Sequence, residues 1–175
     1  MRNMKIAAAA LFLGGAGVLT FAVPAFAATA VDTPVTVVVS QGTLGISAPT
    51  ASVLLGTTPA NPSPQTVTAQ LGLVQVTDNR AGTAGWVAAV GATAPSDGTG
   101  IPTSAMAYNP GATTVVGTAT VTGTNLASMA TQSTVETATF VSGDNTATWN
   151  PSIVVTVPAG AVAGTYSATI THSVS

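Results

Sequence analysis

The stretch NTATWNPSIVVTV, residues 145–157, decides the fold. Asn145, Ala147 and Trp149 alternate with Thr146 and Thr148, and after Asn150-Pro151 the apolar phase resumes at Ile153, Val155 and Val157. A period of two is the repeat of a strand with one buried face, whereas a helix needs apolar residues three and four apart. The neighbouring segments keep the same period: ETATFVSG at 136–143 and GTYSATITHSVS at 164–175. In the last of these Tyr166, Ala168, Ile170, His172 and Val174 share the face predicted to point to the core. Thr165, Ser167, Thr169, Thr171 and Ser173 share the other.

Working outward, the pattern predicts strands at 34–40 (PVTVVVS) and 43–48, joined by the Gln41-Gly42 turn, and a short one at 52–56. A Pro-rich loop at 57–65 follows. From Thr66 to Asp78 the alternation continues but slips: Val67, Ala69, Leu71 and Leu73 are in one phase, Val74 and Val76 in the other. A bulge or strand break near Gly72 accounts for the slip, because one extra residue reverses which face points inward. A strand at 86–91 after the DNRAGTAG loop reads as the second arm of a hairpin. Further strands fall at 104–109 and 113–122, with a turn-rich stretch at 94–102 that contains Asp97-Gly98, and one helical turn within 124–133. The sum is an all-β antiparallel sandwich or Greek-key barrel of roughly 8–10 strands. A parallel sheet would have no helices to cover it.

The first 27 residues read as a signal peptide: Arg2 and Lys5, an apolar run from Ile6 to Phe21, then Pro24 and the small-residue motif Ala25-Phe26-Ala27. Residues 28–175 are then expected to form a single exported β domain, with no membrane span after signal cleavage, either released or associated with the cell wall. One basic side chain, Arg80, remains against Asp32, Asp78, Asp97, Glu136 and Asp144, a side-chain charge of −4. A single cation cannot neutralise a run of phosphates, which excludes nucleic acid and electrostatic attachment to anionic membranes. The chain has no cysteine, so neither disulfides nor a lipidated cysteine contribute.

Catalysis is not expected. One His, one Arg and no Lys or Cys leave almost no acid–base or nucleophilic groups. No G-x-S-x-G elbow is present, and His172 lies close to the last residue. No second His or Cys accompanies His172, so no metal site is predicted and no cofactor. The five acids include no recognisable pair for glycoside cleavage, Asp144-Asn145 reading as a loop tip. Without lysine there is no Lys–Asn isopeptide stitch, and no L-P-x-T-G motif is available for covalent attachment to the wall.

Two blocks carry a resemblance. Asp78, Asn79 and Arg80, then Gly82, Gly85 and Trp86, form the first. Val155-Thr156-Val157-Pro158-Ala159-Gly160 and 163–170 (AGTYSATI) form the second. In this order they resemble the WxL-type surface domains of Gram-positive bacteria. Both W-x-L triplets depart from the family pattern: the first reads Trp86-Val87-Ala88 and the second His172-Ser173-Val174. The resemblance implies an exported β-rich domain that associates with the cell wall non-covalently, through peptidoglycan.

Such contact would fall to aromatics and neutral hydrogen-bonding groups. Trp149 and Tyr166 share phase with core residues and are expected inside. Trp86 follows a flexible loop, and Tyr108, beside the Asn109-Pro110-Gly111 turn, is the expected exposed ring; these two are the candidate ligand-binding residues. Asp78 and Arg80, two apart in extended chain, are expected to pair as a structural latch for the loop into Trp86. Two functions follow: a wall-binding module recognising cell-wall glycan or another surface protein, or an interaction protein that self-associates weakly through uncharged strand edges.

Overall fold

The computed structural model describes residues 33–93, 95 and 100–175. The signal peptide expected at 1–27 and the Asp97-Gly98 turn lie outside them. The described chain is all-β, with antiparallel strands throughout. The strands are β1 (Leu44–Ser47), β2 (Gln65–Gln70), β3 (Val74–Asp78), β4 (Trp86–Ala92), β5 (Met106–Asn109), β6 (Thr113–Gly123), β7 (Ser133–Trp149), β8 (Ser152–Val157) and β9 (Ile170–Val174). A larger sheet runs β1-β3-β7-β4-β9 with β6 added on β7, and a smaller one runs β2-β8-β5. Contacts between β1 and β9 bring the ends of the larger sheet together, so it nearly closes like a barrel.

β7 organises the larger sheet. On one flank it carries β6, from Thr113 opposite Trp149 to Gly123 opposite Glu136. Its other flank is shared: β3 pairs with the C-terminal part (Val74 with Trp149, Asp78 with Asn145) and β4 with the N-terminal part (Trp86 with Ala138, Val90 with Ser133). β3 and β4 therefore follow one another in the same direction along β7. They are not the hairpin that the long DNRAGTAG connection predicts; each half finds its partner in β7.

The opening stretch spans both sheets. β3 pairs with the end of β7, and β2 pairs with β8, from Gln70 opposite Ser152 to Gln65 opposite Val157. The two ladders form one ribbon that turns a corner at 71–73 on one chain and 150–151 on the other. Three residues oppose two there, so the phase slip is at once a bulge and a change of sheet. The corner is closed by the Leu71 N–H to the Pro151 carbonyl at 2.9 Å and the Gly72 N–H to Asn150 Oδ1 at 3.0 Å. Inward residues from both layers, including Val74, Val76, Trp86, Val90, Tyr108, Ala147, Trp149 and Ile153, make one core. Removing such side chains from water contributes about 1.5–3 kcal/mol each, the main favourable term in a chain without disulfides.

Several expected elements are corrected. Residues 34–40 belong to no ladder, and Val35, Val37, Val38 and Val39 are exposed. Residues 52–56 also form no strand. Their β-branched and aliphatic content favours extension, but a strand exists only when an edge is offered to it. The helical turn expected within 124–133 is absent. There the backbone hydrogen-bonds along β5, Leu126 with Tyr108 and the Met129 N–H to the Met106 carbonyl; the 3-10 turn lies instead at Thr103–Ala105. The last strand begins at Ile170 and not at Thr165.

Gly72 has φ +105°, and a Cβ there would lie 2.8 Å from Pro49 Cγ. Gly72→Ala is expected to lower stability by more than about 1 kcal/mol in urea unfolding, with the slope unchanged.

Candidate functional site

Where β3 ends and β4 has not begun, the loop 79–85 sits opposite an irregular stretch of β7. Ala81 (φ +53°) lies on one side of this gap, and Phe140 (φ +51°) and Gly143 (φ +72°) on the other. The Gly143 N–H donates to the Gly82 carbonyl at 2.9 Å and the Ala81 N–H to Asp144 Oδ1 at 3.1 Å, which stitches the gap shut. Within it Arg80 Nε donates to Asp78 Oδ1 at 2.8 Å and Nη2 to Oδ2 at 3.0 Å, the forked geometry a planar guanidinium offers a carboxylate. Nη2 also donates to the carbonyls of Ala84 and Gly85, immediately before Trp86. Asn145 joins the two halves: its Oδ1 accepts from Trp86 Nε1 at 3.1 Å and its Nδ2 donates to Asp78 Oδ2. Asp78 and Asn145 are buried, whereas Arg80 is partly exposed. The hydrogen-bonded Arg80 holds the Asp78 carboxyl below the usual carboxylate range.

A second network crosses the core. Trp149 Nε1 donates to the Tyr108 hydroxyl at 2.9 Å, and that hydroxyl lies 3.1 Å from His172 Nε2. An indole N–H can only donate, so the Tyr108 hydroxyl accepts from Trp149, and the direction of its bond with His172 follows the tautomer of the ring. Burial pushes the imidazole below its ordinary value and the Tyr108 hydroxyl above its own, so both stay uncharged. His172 also reaches a groove of about 950 Å³ lined by Leu55, Val67, Ile101, Met106, Val155 and Ile170. Glu136 is buried on β7 with the Thr113 hydroxyl donating to Oε1 at 2.6 Å and no partner for Oε2. Burial raises its pKa.

These networks relocate the rings singled out by sequence. Trp86 and Tyr108 are 2% and 1% exposed, so neither presents a face to a ligand. The turn beside Tyr108 does not expose it, because Trp149 and His172 arrive from distant strands to cover its hydroxyl. Trp149 is buried as its phase predicts, and Tyr166 is half-buried with its hydroxyl on the Val162 carbonyl.

The outward-facing ring is one the sequence reading passed over. Strict alternation carries Phe140 inward with Ala138, but the left-handed backbone at Phe140 reverses the phase, burying Val141 and leaving Phe140 85% exposed. The available signal was the pair of adjacent apolar residues, Phe140-Val141, inside an alternating run. Around Phe140 the outer face of β6 and β7 carries the register pairs Thr122–Thr137, Thr120–Thr139 and Thr118–Ser142. This face combines one bare aromatic ring with a field of neutral hydroxyls and no cation. Among the described residues no cluster of His, Asp and Glu could hold a metal ion, and no helix is long and apolar enough to cross a membrane. No protein-family model matches the chain, nor does any curated protein or solved structure.

Arg80→Ala leaves a buried carboxylate without its forked partner and should cost about 2 kcal/mol, read as a drop in Tm. Repeating the measurement at low pH tests the assignment. The pair's contribution is present above the unfolded carboxylate pKa and is lost as pH falls through the lowered folded value, so wild type and variant should converge in acid.

Glu136 and His172 set opposing limbs of the stability profile. A raised carboxyl pKa means stability is lost as pH rises through the folded value; a lowered imidazole pKa means it is lost as pH falls through the folded value. Glu136→Gln is therefore expected to raise Tm at about pH 8, with the gain shrinking toward about pH 4. A constant offset across that range would refute the burial of an ionisable Glu136.

Proposed function

We propose that the protein is an exported, non-enzymatic cell-surface module that associates non-covalently with the bacterial cell wall, docking neutral glycan on the outer face of β6 and β7. Phe140 carries the reading. A bulky residue in the left-handed region costs about 1–2 kcal/mol relative to glycine, and here the cost is not recovered by burying the ring. Backbone strain of this kind is characteristic of functional positions. An exposed aromatic flanked by threonine hydroxyls suits a sugar: the ring stacks on the C–H face while the hydroxyls exchange hydrogen bonds with the rim. The near absence of charge favours a neutral ligand over a phosphate-rich one. The resemblance to WxL-type domains supports the same reading, with the Asp78–Arg80–Trp86 block serving the fold and the contact made elsewhere.

Sedimentation with purified peptidoglycan tests this. Retention is expected to persist at about 1 M salt, where screened ion pairs would be lost. Phe140→Gly should reduce retention roughly 3- to 10-fold, the equivalent of about 0.5–1.5 kcal/mol of ring stacking. The same variant should unfold no more easily than wild type, since glycine relieves the left-handed strain. Undiminished retention by Phe140→Gly, or release by salt, would refute the docking face.

A further inference from the structure

Four valines in a row of seven residues stand in water. Val35, Val37, Val38 and Val39 are 79–88% exposed, residues 34–40 carry no charge, and none of them enters a described ladder or backbone hydrogen bond. Residues of this type cost free energy when left exposed and have high strand propensity, so the segment is a strand without an edge to join.

The larger sheet has the complementary defect. β6 is bonded to β7 on one flank, and no described strand pairs with the other. Its eleven residues, TTVVGTATVTG, contain no charge and no proline, the devices by which edge strands are usually protected, and Val116 on it is 67% exposed. Of the other edges, β2 offers only six residues, too few for a seven-residue strand, against the eleven of β6. Leu126 and Met129 occupy the free side of β5, and β1 and β9 meet each other.

We propose that residues 34–40 of one copy add as a strand to the free edge of β6 in a second copy. The segment cannot reach its own β6. Gly42 is tied to Asn79 just beyond β3, its N–H on the Asn79 carbonyl at 2.7 Å, and Thr43 accepts the Asn79 N–H. From β1 the order outward is β3, β7, β6, so a strand added beyond β6 lies four spacings away, about 19 Å along the sheet. Ser40 is two residues from Gly42, a reach of about 7 Å. A neighbouring copy has no such tether. Seven extended residues span about 23 Å, within the length of an eleven-residue edge. Each copy carries one tail and one edge, so the contact closes as a reciprocal dimer or continues as a chain. The interaction is independent of glycan docking, since it uses the rim of β6 and not its outer face.

The absence of cysteine makes the test direct. Val37→Cys and Val116→Cys are prepared separately in the exported protein, both at exposed positions outside the core, then mixed and oxidised, with Thr171→Cys as an exposed control. The Val37–Val116 heterodisulfide is expected to make up nearly all of the dimers, well above the statistical half, whereas pairing with the control is expected to stay at that half. Val38→Pro, which removes a backbone donor from the added strand, should reduce the yield about fivefold or more while leaving Tm unchanged. Phe140→Gly should not alter it, which separates this contact from wall retention. A statistical mixture of dimers would overturn the proposal. So would a cross-link within a single chain in the Val37→Cys/Val116→Cys double variant at high dilution.

Discussion

The fold depends on the closure of one flank of β7. Two strands, β3 and β4, share that flank, and the gap between them would leave backbone groups of both chains unsatisfied in a half-buried position. The buried carboxylate of Asp78 fills the gap, fixed by the forked guanidinium of Arg80 and by Asn145. Because Asn145 also holds the Trp86 indole, the end of β3, the start of β4 and the second half of β7 are bound through a single polar cluster. The one arginine outside the first residues of the chain is thereby used as a structural cation. The same Nη2 that holds Asp78 also reaches the carbonyls of Ala84 and Gly85, which sets the path of the loop into Trp86.

A second constraint turns the ribbon from one sheet into the other. Gly72, Asn150 and Pro151 make the corner, and Trp149, the last residue before it, donates to Tyr108 from the smaller sheet. Tyr108 in turn meets His172 on β9, so one hydroxyl links three strands across the two layers. Each member of this network is neutral, which suits a low-dielectric interior where an unpaired charge would be costly. Glu136, outside this network, is a buried carboxyl with one hydroxyl partner, and burial keeps it toward its protonated form.

The polar side chains with distinctive chemistry are thus committed to the interior, and what remains for recognition is the neutral surface. On the outer face of β6 and β7 that surface is threonine hydroxyl and one phenyl ring; along the rim of β6 it is unpaired backbone. The two readings proposed for these surfaces use different chemistry, stacking with hydrogen bonds in one case and strand addition in the other, and both are insensitive to charge. Among the described residues the few ions, Asp78, Arg80, Glu136 and Asp144, are engaged in the fold.

The period of two determined the fold class by itself, and with it the burial of Trp149, Ile153 and Val155 and the extra residue near Gly72. These are local properties: alternation records which side chains face inward, and a phase slip records where that changes. Alternation says nothing of neighbours. That β3 and β4 line one flank of β7, and that Tyr108 is enclosed by Trp149 and His172, follow from pairings between distant segments. Phe140 points outward because a left-handed residue resets the phase where β7 bends past the gap, a demand of the sheet and not of the local sequence. Residues 34–40 have the composition of a strand and lack only an edge, and a strand needs a partner as well as a pattern.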